Sequence, residues 1–299
     1  MVIFMLSSEA KLIRGVTRGD ERAFYGVSDT KFENCKISGA EDGESAFKES
    51  RNIDLSVCNF DLRYPLWHTV EARLDSCYMA DTCRAPIWYS SGIALTDTEI
   101  KGVKAVRECR EVSMKNCRVV SAEFGWKTSG FTASFSDIEG EYLFLDSEDI
   151  SLDNVRVKGK YSFQYVKNAV ITNCVLDTKD AFWHGENITV IDSVVSGEYL
   201  GWYSKNLRLI RCVIKGTQPL CYAEGLTLED CTMEGCDLSF ENSTVNATVI
   251  GAIDSIKNPS GGSIIAGDAG DIISEDVCGR TRKTLLTLTD RVPKLETVI

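Results

Sequence analysis

A nine-residue pattern recurs every 19 residues through most of the chain, and this restricts the fold more than any other property of the sequence. NAVITNCVL begins at Asn168, NITVIDSVV at Asn187, NLRLIRCVI at Asn206 and GLTLEDCTM at Gly225. The same step leads back to Asp149, Gly130, Glu111 and Gly92. Copies around Cys58 and Cys77 keep it, with insertions of two residues between Cys77 and Thr98 and four between Cys35 and Cys58. A fixed period of this length marks a solenoid, in which one short unit stacks on the next.

Each repeat reads L-x-L-x-x-C-x-V. Pairs such as Ile150 and Leu152, Ile188 and Val190, or Leu207 and Leu209 alternate with polar residues, as in a strand with one buried face. A second short strand follows, for example Cys174-Val175-Leu176. Then comes a row of Gly39, Gly102, Gly140, Gly159, Gly197, Gly216 and Gly235, read as a corner that needs positive φ. A third apolar segment completes the unit, as in YPLWH, APIWY, DAFWH and YLGWY. Leucine-rich repeats have a similar period, but carry one strand and a helical or irregular segment. Three apolar segments per coil predict an all-β, three-sided parallel β-helix of about eleven coils. The sequence is read as one domain over 1–299, with an N-terminal cap at 1–25, regular coils at 26–258 and a C-terminal cap or tail at 259–299.

Composition narrows the function. A formal net charge of −11 and the lack of a basic run disfavour nucleic acid as a partner. The opening MVIFML is too short for a signal-peptide core, and no stretch is long enough to span a bilayer, so a cytoplasmic protein without membrane attachment is expected. Twelve cysteines are spread without a CxxC, which fits reduced, buried thiols rather than a metal site or disulfide scaffold. Nothing in the sequence calls for a cofactor.

The period also sorts residues into rows. Cys35, Cys58, Cys77, Cys117, Cys174, Cys212 and Cys231 share one row with Thr98, Ser136, Val155 and Ser193, which reads as small buried side chains. All five tryptophans, Trp67, Trp88, Trp126, Trp183 and Trp202, share another and are read as mainly buried. The row before them is apolar, with Phe47, Leu66, Ile87, Phe144, Phe163 and Phe182. Its run of Phe144, Phe163 and Phe182 is offered as an association face for a homo-oligomer. The row after the tryptophans is His68, Tyr89, Glu108, Lys127, Asp146, Tyr165, His184, Tyr203, Tyr222 and Glu241, and its charges place it on solvent or a groove. The only histidines are six coils apart in this row, so they share neither a metal nor a catalytic dyad within one chain.

Carboxylate chemistry stays open, because adjacent and alternate coils offer separations close to those of retaining and inverting glycosidases. The acids considered are Asp146, Asp180, Glu198 and Glu241. Asp180 and His184 lie at an even spacing and are expected to share a face. Glu198, near Lys179, reads more readily as a surface ion pair. The candidate ligand-binding set is therefore Asp146, Tyr165, Asp180, His184, Glu198, Tyr203, Tyr222 and Glu241, with no residue assigned to catalysis or metal binding.

The segments GESAFKES (43–50), RYPLWH (63–68), RAPIWYS (84–90), KDAFWHGEN (179–187), GEYLGWYSKN (197–206), PLCYAEGL (219–226) and IDSIKNPSGG (253–262) form a further set. Together they resemble an uncharacterised bacterial domain-of-unknown-function family of the pectin-lyase-like β-helix superfamily. The resemblance spans nearly the whole chain. It implies a single right-handed parallel β-helix and supplies no catalytic residue. The superfamily includes polysaccharide lyases and glycoside hydrolases beside non-enzymatic adhesins, so enzymatic activity rests on fold analogy alone. Two functions follow: a carbohydrate-binding or carbohydrate-processing protein using the Tyr/His/acid stripe, or a non-catalytic structural or interaction scaffold.

Overall fold

The computed structural model describes residues 10–39, 43–275 and 283–289. The fold is an all-β, right-handed parallel β-helix of about fourteen turns. It divides into two compact units, Met1–Lys158 and Gly159–Ile299. Among the described residues no helix is long and apolar enough to cross a membrane.

In the first unit, the longest side of each coil is a strand such as Val70–Asp75, Ser91–Thr96, Arg110–Lys115 or Ser129–Ser134. These pair in parallel, one repeat apart, so that Ile93, Val112 and Phe131 face one another along the axis. Alternation sets what is inside: Ile93, Leu95, Val112, Met114 and Phe131 are at most 2% exposed, while the intervening side chains point out. Two or three residues turn the corner to a second, shorter strand, whose middle residue fills the core. Phe60, Met79, Ile100, Val119 and Ile138 are these plugs. Apolar burial on a single coil is small, and stacking makes it continuous.

The second unit repeats this plan through Lys167–Thr172, Glu186–Ile191 and Arg208–Ile210. It then changes. Leu226–Glu234, Thr244–Lys257 and Gly261–Ile273 are long strands that bend at register shifts instead of breaking at a corner. The parallel ladder reaches residues 261–273 and 283–288 here, and residues 11–18 in the first unit. That extension beyond residues 26–258 is why the turns outnumber the eleven read from the repeat.

The cysteine row is buried as its composition predicts, with Cys35 to Cys231 at most 4% exposed and none of these thiols in a disulfide. Each small side chain has a task. The Cys77 thiol donates to the Leu55 carbonyl at 3.3 Å, and the Cys231 thiol to that of Leu209 at 3.2 Å. Where serine replaces cysteine, its hydroxyl accepts from the next main chain, as Ser136 does from Cys117 N at 3.0 Å and Ser193 from Cys174 N at 2.9 Å. Apart from Val155, the row holds small polar-tipped side chains that bond main-chain groups of their own or an adjacent coil. In the neighbouring corner, burial pushes the Cys109 thiol up to about 12.

The glycine row serves close approach more than positive φ. A Cβ on Gly140 would lie 2.1 Å from the Ser121 carbonyl oxygen, although Gly140 itself has no left-handed φ. Gly216 combines both demands: φ is +121°, and a Cβ would sit 2.1 Å from the Gly197 carbonyl oxygen.

The third side departs most from expectation. Only Leu66–Trp67 and Ile87–Trp88 pair there as strands among the described residues. Elsewhere the segment is a turn in which alternate residues are left-handed, for example Asp180, Phe182 and His184 at φ 56°, 63° and 54°. The apolar row before the tryptophans is core: Phe144, Phe163 and Phe182 are 0%, 0% and 1% exposed. It therefore offers no face to a second chain, which corrects the association surface expected from the sequence.

Candidate functional site

The left-handed turns decide which side chains reach the surface. In a strand, successive residues alternate between core and solvent. Here Phe182 points in, yet Trp183 and His184 both lie outside, half-buried and exposed respectively. The next coil repeats the arrangement with Trp202 and Tyr203. Main-chain bonds from His184 N to Trp202 O (3.0 Å) and from Tyr222 N to Glu241 O (2.7 Å) lock the coils in register. All five tryptophans are half-buried on the outside, so the mainly buried row read from the sequence is corrected. The loss of period-2 alternation is the cause.

In the second unit the ring row becomes a column. Tyr165 and His184 stack at 4.8 Å and 7°, His184 and Tyr203 at 5.1 Å and 9°, and Tyr203 and Tyr222 at 5.0 Å and 17°. Trp183 and Trp202 stack alongside at 5.6 Å and 6°. Their indole N–H groups turn back to the main chain, Trp183 to Tyr199 O at 2.7 Å and Trp202 to Gln218 O at 2.8 Å. Ring faces are thus taken up by neighbouring rings, leaving edges for a ligand. The tyrosine hydroxyls and imidazole nitrogens form a polar edge ladder, while the indoles form an apolar band beside it.

The remaining candidates are distributed around this column. Glu241 extends the row and is half-buried, with its carboxylate 3.3 Å from Lys257 Nζ. Burial and the Glu241 charge raise the Tyr222 phenol, so it stays a neutral donor. Glu198 pairs with Lys179 Nζ at 2.6 Å on the surface. Asp180 is only 4% exposed. It does not share a face with exposed His184, because the left-handed backbone at Asp180, Phe182 and His184 breaks the period-2 alternation. Desolvation raises the Asp180 carboxyl, opposed by Lys179 and reinforced by Glu198. Asp146 lies in the first unit. The second unit thus carries Tyr165, His184, Tyr203, Tyr222 and Glu241 in one row, Asp146 holds the same row position in the first unit, and Asp180 and Glu198 lie off the row.

Three features are absent from the sequence-derived set. Trp183 and Trp202 flank the column, a place their row position alone does not reveal. Lys257 meets Glu241 across 16 residues instead of 19, so the period hides it. The third is a shallow hollow of about 580 Å³ on the long-strand side of the first unit, floored by Ala94, Ser113, Thr132 and Ser151. Its only signal is a run of small outward residues at one repeat position. A second hollow in that unit, of about 440 Å³, follows the ring row itself past Tyr89, Glu108, Lys127 and Asp146.

A family model described as "Protein of unknown function (DUF3737)" matches residues 11–287. No curated protein matches the chain. Among solved structures, the A-module of mannuronan C-5 epimerase AlgE4 from Azotobacter vinelandii is similar at 10% identity and TM-score 0.32, over 94% of this chain and 89% of that one. The surface adhesin PfbA of Streptococcus pneumoniae is similar at 13% identity and TM-score 0.30, over 83% and 75%. Tailspike protein 3 of bacteriophage CBA120 is similar at 11% identity and TM-score 0.23, over 95% and 55%.

Proposed function

The chain belongs to the DUF3737 family, whose description carries no activity, and from the site geometry we propose that it is a carbohydrate-binding protein. The observation that carries this reading is the column of Tyr165, His184, Tyr203 and Tyr222, stacked at 4.8 to 5.1 Å. Its edges present a hydroxyl or ring nitrogen at every coil. An extended glycan presents hydroxyls at a comparable regular interval, so one chain along the column meets a donor or acceptor at each step. The adjacent indole band offers apolar contact to the C–H faces of the same sugars. Binding is thus read as edge-on hydrogen bonding, not as sugar rings stacked on aromatic faces. The reading is of binding and assigns no acid to catalysis; Asp180 is buried, and Glu198 and Glu241 are ion-paired.

A glycan array tests it with the native chain, a Tyr203→Phe/Tyr222→Phe variant and a His184→Ala/Tyr203→Ala variant. The first variant keeps the stack and removes only hydroxyls. Binding by the native chain and a loss of about tenfold or more in the phenylalanine variant are expected. No glycan bound by the native chain, or equal binding by the phenylalanine variant, overturns the reading. One observation favours a purely structural column: the rings satisfy one another's faces. In that case the phenylalanine variant is neutral and the alanine variant is destabilised.

A further inference from the structure

The hollow of about 440 Å³ in the first unit is lined by charges of both signs. At several other places opposite charges meet between coils, as Lys104 meets Glu123 at 3.2 Å, Arg211 meets Asp192 at 2.7 Å and Lys215 meets Glu234 at 2.7 Å. Around this hollow stand Arg110, Lys127, Asp146 and Glu148, all exposed. Among the described residues these four make no side-chain ion pair or hydrogen bond. Glu108, on the same wall, is engaged by Arg107 at 3.3 Å.

The register gives these charges a direction. Arg110 pairs with Ser129, and Ser129 with Glu148, on consecutive coils. Arg110 and Glu148 thus stand two coils apart, about 10 Å along the axis. Asp146 shares the acidic end with Glu148. Lys127 and Ser129 occupy the coil between the two. Arg110 thus stands at one end, beside a Glu108 already held by Arg107, and Asp146 and Glu148 at the other, with Lys127 and the Ser129 hydroxyl on the coil between them.

We infer that this hollow binds a small zwitterion with well-separated charges, of the size of a free tripeptide. Its carboxylate lies toward Arg110 and Lys127, and its ammonium toward Asp146 and Glu148. An α-amino acid is too short to reach both ends. An extended peptide advances ~3.3–3.6 Å per residue, so three residues span the two coils. The volume falls within the usual range for small-ligand sites, ~300–1,000 Å³. Exposed pairs alone add little affinity, but charge-assisted bonds at both ends give strong selection for free termini.

Isothermal titration of the full chain with trialanine, N-acetyl-trialanine and trialanine amide tests the assignment. Free trialanine is expected to bind, and blocking either end should weaken binding by about tenfold or more. Arg110→Gln/Lys127→Gln should remove the preference for a free carboxylate while keeping that for a free amine. Asp146→Asn/Glu148→Gln should do the reverse. These side chains are exposed, so circular dichroism should confirm unchanged folding. Equal binding of free and blocked peptides, or no binding of trialanine at millimolar concentration, overturns the proposal. Glycan binding at the ring column is read on a different ligand in the other unit, so either proposal can fail without the other.

Discussion

Asp180 shows how one backbone angle redirects a side chain. The sequence spacing puts it on the face of His184, whereas the left-handed turn places it inside at 4% exposure. Its carboxyl is raised, chiefly by desolvation, so the folded state holds the proton more tightly than the unfolded chain. Such a group favours folding fully below its ordinary value of 3.8, and that contribution is lost as the pH rises through the folded value. Asp180→Asn should therefore raise the melting temperature at pH 7, with the gain fading as the pH falls toward 3.8. A variant equally or less stable at pH 7 contradicts this account. The cysteine row was readable from substitution alone, since serine, threonine and valine share its positions. The roles of Trp183 and Lys257 were not, because one depends on a turn geometry and the other on a shortened repeat.

At the level of the strand and corner, the repeat foretold the two β sides well. Their alternation survives because parallel pairing holds extended backbone in register. It foretold the third side poorly. Apolar runs such as DAFWH look like strands, but every second residue is left-handed, which pattern alone does not report. The glycine corner offers a direct test. Gly216→Ala must place a Cβ against the Gly197 carbonyl and hold a non-glycine residue at φ +121°. A loss of ~1–3 kcal/mol or more in chemical denaturation is expected from the strain alone. Thr217 follows in the same corner and is half-buried, so Thr217→Ala serves as the mild control.

For the molecule as a whole, nearest-neighbour stacking makes the coil the natural unit of change. In the second unit, Glu186 and Lys205 occupy equivalent places and form a bridge across one coil. Deleting residues 187–205 joins Glu186 to Asn206 and removes one full period. The shortened chain should keep a β-type circular dichroism spectrum and unfold cooperatively at a lower temperature. Deleting residues 187–196, about half a coil, should turn core positions outward and yield aggregates. Equal tolerance of both deletions would contradict stacking in fixed register.

The ring column has a consequence for how the sequence drifts. Tyr165, His184, Tyr203 and Tyr222 all hold left-handed backbone, at φ 54° to 59°. That conformation suits Gly and Asn, and it disfavours other residues by ~1–2 kcal/mol. Stacking offsets this by about 0.5–1.5 kcal/mol for each ring pair. The two terms nearly cancel, so stability alone scarcely defends the rings, while the Phe row beneath is defended by several times more burial. Under selection for folding alone, a library of variants should lose its Tyr and His residues here long before it loses Phe163 or Phe182. Under selection for binding, the order of loss should reverse.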